Sequence, residues 1–149
     1  MTQIYTVIEM AIFLDTGFYF SLIWKKDKKH HRAQEIFQEV GKGMFGAIFT
    51  SDFVLDESLT LMNIRTYGKR LDLVEKVYDL FMGQEPLAEL IKVPKIWIKD
   101  IFAVQRKLTT AKDPISFTDA SNIILCQKHG IKNIVAFDGH FKGFLHVIS

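Results

Sequence analysis

The chain carries one cysteine, Cys126, in 149 residues. That count excludes an internal disulfide and leaves no spacing for a structural zinc site. Set beside Ile124 and Leu125, Cys126 reads as a small buried hydrophobe. Prolines number only three, and no Pro/Gly-rich stretch marks a linker. Internal repeats and low-complexity tracts are also missing, so the expectation is a single domain over residues 1–149. No apolar run approaches the roughly 20 residues needed to span a bilayer. The N-terminus has no basic segment before its apolar run, which argues against a signal peptide. The cytoplasm is then the expected compartment, with no membrane partner. Excess charge is absent too. Lys and Arg total 19 against 17 Asp and Glu, a net +2, which is less basic than dedicated nucleic-acid binders.

What is present is a core-forming composition, 48% hydrophobic with 24% charged residues, which argues against disorder. Continuous apolar runs alternate with segments of helical period. Strands are expected at Thr6–Leu14, Ala47–Thr50, Leu87–Val93, Asn133–Phe137 and Phe144–Ile148. Helices are expected over Gly17–Trp24, over His31–Val40 with Ala33, Ile36, Phe37 and Val40 as its stripe, and from Ser51 or Asp52 through Leu55, Leu59 and Met62. Others are expected over Leu71–Met82 with Val74, Val77, Tyr78 and Phe81 buried, after Pro94 through Trp97, Ile101, Val104 and Leu108, and from a Ser116 or Thr118 cap to Gly130. This alternation predicts an α/β fold, a parallel sheet covered by helices on both faces. Right-handed crossovers then bring every strand exit to one edge.

Acids gather at that edge. Asp15 ends the run Met10–Leu14, and Asp138 ends Ile134–Phe137. Glu57 falls about one and a half turns into its helix. Asp119 opens another helix, where unpaired backbone N–H groups favour an acid. Taken alone, Asp119, Asp138 and Glu57 can be a cap, a turn residue and a solvated helix acid, whereas Asp15, directly after a buried run, is the hardest to explain that way. Together on one edge they repel unless a cation sits among them, and oxygen-only donors suit magnesium or manganese. Charge is also clustered elsewhere. Lys25, Lys26, Lys28, Lys29, His30, His31 and Arg32 are interrupted only by Asp27. That cluster is either a solvated loop or a contact for RNA phosphates.

Four stretches carry a family resemblance: Phe13-Leu14-Asp15-Thr16, the segment from Thr50 to Leu61 with Glu57, Phe117-Thr118-Asp119-Ala120, and Phe137-Asp138-Gly139-His140-Phe141. In this order and spacing, from about Ile12 to Phe144, the chain resembles the PIN-domain ribonucleases, and more narrowly the VapC-type toxins of prokaryotic toxin–antitoxin pairs. Gly83 to Lys112 matches only in its pattern of elements. The resemblance implies a three-layer α/β/α sandwich around about five parallel strands. It implies a divalent metal, magnesium or manganese, held by Asp15, Glu57, Asp119 and Asp138, with single-stranded RNA as substrate. It also implies a homodimer and an antitoxin partner.

Asp15 and Asp119 are then the expected direct ligands, with Glu57 and Asp138 acting directly or through water. Thr16 and Thr118 are candidates to hydrogen-bond the acids or a water among them; helix capping is their alternative role. His140 reads as a turn residue or a phosphate contact. Trp24 and Trp97 read as core or dimer contacts in preference to base-stacking platforms, and Phe18-Tyr19-Phe20 with Phe141 and Phe144 as core or partner surface. Two rivals keep the fold: a non-catalytic RNA- or protein-binding PIN module, and a housekeeping RNA-processing nuclease. A phosphoacceptor receiver domain needs an acidic pair after the first strand and a lysine after the last. Leu14 before Asp15, and Asp138 at the last exit, do not supply them.

Overall fold

The computed structural model describes residues 10–149. Five strands form one sheet in the order β3-β2-β1-β4-β5: β1 (Ala11–Leu14), β2 (Ala47–Ser51), β3 (Glu89–Ile91), β4 (Asn133–Val135) and β5 (His146–Ile148). Every neighbouring pair is parallel. Six helices connect them: α1 (Thr16–Ile23), α2 (His30–Gly41), α3 (Asp52–Arg65), α4 (Leu71–Met82), α5 (Ile98–Leu108) and α6 (Phe117–His129). This is the expected α/β arrangement. The central strand β1 is buried at all its positions, as a strand covered on both faces must be.

The strands are shorter than their apolar runs. The first was expected from Thr6, and Thr6 to Glu9 lie outside the described residues; Met10 stands before the strand. Leu87, Ala88, Lys92 and Val93 flank β3 without joining it, Ala136 and Phe137 continue past β4, and Phe144 and Leu145 precede β5. At these flanks Ala88, Val93 and Ala136 are buried and Leu87, Phe137 and Leu145 half-buried by loop packing, which needs no ladder, while Phe144 is 47% exposed. The 3₁₀ turn Lys95–Trp97 leads from Pro94 into α5.

Two helix stripes are rotated from expectation. The buried line of α3 is Val54, Ser58 and Met62, while Leu55 and Leu59 are half-buried. In α4 it is Leu73, Val77 and Phe81, with Tyr78 47% exposed. Both lines are i, i+4 ridges; the helices pack on each other and on α1 through the ridge that fits, leaving the larger apolar set at the flank. Phe18, Tyr19 and Phe20 are core residues, and Tyr19 stacks on Phe81 with ring centroids 4.0 Å apart.

Local chemistry fixes the element ends that matter. Ser51 Oγ accepts from the Val54 N–H at 3.1 Å, capping α3. Ser116 Oγ accepts from the Asp119 N–H at 2.9 Å, capping α6, so Ser116 and not Thr118 is the cap. Gly130 closes α6 in the left-handed region at φ 67°, the common helix stop. Gly46, at φ +75°, has no room for a Cβ, which would lie 2.3 Å from the Met10 carbonyl oxygen.

Candidate metal centre

The sheet topology sets the site. From β1 the chain moves to β2 on one side and later to β4 on the other. The exits of β1 and β4 therefore flank a switch point, where parallel sheets open a crevice. Asp15 follows β1 directly, and its backbone N–H bonds the Val135 carbonyl of β4 at 3.1 Å. Asp138 lies just beyond β4. Glu57 leans in from α3, and Asp119 from the first turn of α6.

Burial grades the acids. Asp15 is 2% exposed and Asp119 6%, Glu57 is half-buried and Asp138 exposed. Asp15 Oδ1 accepts from Asn122 Nδ2 at 2.8 Å, which orients the carboxylate. Burial first, then the charges of Asp119 and Asp138, push the Asp15 carboxyl well above the usual carboxylate range, and Glu57 adds to the shift. Burial and the Asp138 charge push Asp119 up to about 6, against the pull of His140. Glu57 and Asp138 lie near enough for their charges to act on both Asp15 and Asp119.

His140 is the residue the sequence reading undervalued. Its Nδ1 meets Asp119 Oδ2 at 2.5 Å, and its Nε2 meets Asp113 Oδ1 at 2.8 Å. Asp138 Oδ1 lies 3.6 Å from the same Nδ1, and it accepts from the His140 backbone N–H at 3.1 Å. Two ring nitrogens facing carboxylates must both donate, which requires the imidazolium form. Partial burial pulls the ring down, but the bonds to Asp113 and Asp119 outweigh it and raise it to about 8. The ring is a cation set among acids.

The residues fit a divalent ion. Carboxylate oxygens of Asp119 and Asp138 lie within 4.8 Å of each other and of a His140 nitrogen; the doubly protonated ring has no lone pair to give an ion and stands beside the acids as a charge. Asp15 sits deeper, behind them. Thr16 is buried at the start of α1, and its Oγ1 has no partner; Asn122 Oδ1 is likewise buried and unpaired. Buried polar atoms without partners are uncommon, and both lie beside Asp15. Thr118 is half-buried in the first turn of α6, and its carbonyl accepts from Ser121 Oγ at 2.6 Å. Asn122 was not singled out from the sequence, although its place one turn past Asp119 puts both on one helix face.

Comparison with known proteins agrees with this fold. The PIN domain family profile matches residues 12–144. The 23S rRNA-specific endonuclease VapC20 of Mycobacterium tuberculosis is 28% identical over 141 residues, covering 91% of this chain and 97% of that one. A VapC ribonuclease of Archaeoglobus fulgidus is 24% identical over 132 residues, covering 89% and 80%. The crystal structure of VapC20, described as a sarcin–ricin loop cleaving toxin, superimposes with a TM-score of 0.74 at 27% identity, over 91% of this chain and 98% of that chain. The fold is also that of VapBC2 from Rickettsia felis, solved on a promoter DNA fragment, with a TM-score of 0.62 at 16% identity over 93% and 98% of the two chains. The chain belongs to the PIN-domain family, and its likeness within that family is to the VapC ribonucleases.

Proposed function

We propose that the protein is a divalent-metal-dependent endoribonuclease that cleaves single-stranded RNA, and that it is the toxin of a VapBC-type pair. The observation that carries this reading is the gathering of acids at the switch point of the sheet: Asp15 buried at the exit of β1, and Asp119 and Asp138 with carboxylate oxygens within 4.8 Å of each other. Asp15, Asp119, Asp138 and Glu57 would hold the ion, magnesium or manganese, with Thr16 and Thr118 placed to hydrogen-bond the acids or a water among them. When bound, such an ion supplies Lewis acidity to a phosphate oxygen and to the attacking water. The chain's own residues do the rest. Asn122 fixes the Asp15 carboxylate, and the exposed Asp138 faces the incoming RNA. His140 places positive charge where the phosphodiester must approach, which offsets repulsion by the acids. No covalent intermediate on the protein is needed.

The likeness to VapC20 and VapBC2 supports an antitoxin partner. Ile98 and Phe102, exposed one turn apart on α5, suit a homodimer contact. Among the described residues no helix is long and apolar enough to cross a membrane, and we place the protein in the cytoplasm with its RNA substrate.

The test is cleavage of single-stranded RNA with magnesium or manganese. Asp15→Asn and Asp119→Asn should each lose more than the roughly 10–100-fold that supporting residues of a metal site typically contribute. Either variant cleaving at the wild-type rate, while folded, would sink the mechanism. Growth arrest on expression, absent in the Asp15 variant, separates a toxin from a housekeeping nuclease.

A further inference from the structure

The basic stretch forms the connection between α1 and α2. Lys25, Lys26 and Lys28 are exposed, and none of the four lysines joins an ion pair among the described residues. Asp27, the one acid among them, is turned inward. Its Oδ2 accepts from Ser21 Oγ at 2.8 Å and from the Lys29 N–H at 3.0 Å. His30 is buried with Nδ1 2.8 Å from the Ser21 carbonyl. The loop is thus held in one shape that projects its lysines. Arg32 is excluded from this set, being engaged with Glu35, Glu39 and the Ser149 carbonyl.

The stretch is continuous with the acid cluster. Lys29 Nζ stands 5.7 Å from the centroid of the Phe137 ring, and Phe137 immediately precedes Asp138. The same ring lies beside Gly17, two residues after Asp15. Away from the acids, Ile23, Trp24, Lys25 and Lys26 join Arg70, Leu73 and Lys76 around a cavity of about 230 Å³. Arg70 is held by Asp72 at 3.0 and 2.9 Å. Lys25, Lys26 and Lys76 are then the cations that face this apolar wall without a carboxylate.

We propose that this strip, from Lys29 at the rim of the acid cluster to the Lys25–Lys26–Lys76 cavity, binds backbone phosphates of the RNA on one side of the scissile bond, with an unstacked base against Trp24. The inference rests on the nuclease reading and deepens it. Unpaired lysines attract phosphate without regard to sequence, and an aromatic wall accepts any base. An acidic peptide could meet the same cations. Continuity with the acids, where a phosphodiester must lie to be cut, favours RNA. These lysines are positioning residues, and they do not touch the reacting atoms.

The test compares the full chain with a Lys25→Gln/Lys26→Gln/Lys29→Gln variant. A fluorescein-labelled single-stranded RNA is titrated by anisotropy across a salt series in calcium, and cleavage kinetics are measured in manganese. The variant should bind about tenfold more weakly near 0.1 M salt, and its salt slope should fall by about 2, from roughly 0.7 per lost phosphate contact. Its KM should rise with kcat held. Lys29→Arg should retain binding, Trp24→Leu should weaken binding without changing the slope, and Lys99→Gln/Lys107→Gln on α5 should change nothing. If the wild type cleaves RNA while the triple variant keeps affinity and slope, the strip is wrong and the nuclease reading stands. If the wild type neither binds nor cleaves RNA, the nuclease reading falls and takes the strip with it. A triple variant that keeps RNA binding but loses an acidic peptide would make this a protein surface, which also overturns the proposal.

Discussion

At Asp119 and His140 a positive charge already stands among the acids. The imidazolium bridges Asp119 and Asp113 and reaches toward Asp138. Removing a repelling carboxylate and removing the bridging cation should therefore move stability in opposite directions. In metal-free protein at pH 8, Asp15→Asn should raise the melting temperature and His140→Gln should lower it. Charge-assisted bonds of this kind contribute about 1.5–3 kcal/mol, and about 2–4 °C per kcal/mol is expected for a chain of this size. Scanning calorimetry decides the matter; two shifts of the same sign would contradict the charge balance described. At this scale the sequence is readable for acids and poorly readable for their partners. Asp15 stands out because an acid ends a buried apolar run. Asn122 and His140 do not, because a polar residue on a helix or in a turn needs no special reason until its neighbours are known.

The helices show what periodicity can and cannot specify. The existence and order of α1 to α6 follow from apolar spacing, Gly130 and Pro94. Which ridge faces inward does not, since Leu55 and Leu59 are as apolar as the inner line Val54–Ser58–Met62. Neighbouring α1 and α4 decide it. The strands fail at their ends for a related reason: apolar residues flanking β3 and β4 are buried without entering the ladder. Caps are more predictable. Ser116 Oγ holds the Asp119 N–H, so this one side chain both starts α6 and sets an acid of the cluster. Ser116→Ala should cost about 1 kcal/mol of stability and should weaken metal affinity in a titration followed by calorimetry. A variant with lower stability but unchanged affinity would separate the cap from the site.

For the molecule as a whole, the shifted groups fix how stability follows pH. The Asp119 carboxyl is raised from 3.8 to about 6, so the folded chain holds that proton more tightly than the unfolded chain. Its contribution is present at low pH and is lost as pH rises through about 6. His140 is raised from 6.5 to about 8, and its contribution is lost as pH rises through that value. Asp15 acts in the same direction as Asp119. Metal-free protein should therefore melt at a lower temperature at pH 8.5 than at pH 5, and added magnesium or manganese should flatten the decline, since cations bind the ionised acids. A melting temperature that climbs from pH 5 to pH 8.5 would contradict this.

The parallel topology also has a consequence in time. The Asn122–Asp15 bond joins positions 107 apart, and β4, whose exit leads to Asp138, enters the sheet only beside β1. A chain emerging from the ribosome carries Asp15 and Glu57 long before Asp119, Asp138 and His140 exist. Until β4 docks, it has acids but no enclosure to gather them. The acid cluster is therefore among the last features of the fold to assemble, because it waits for β4 to take its place beside β1.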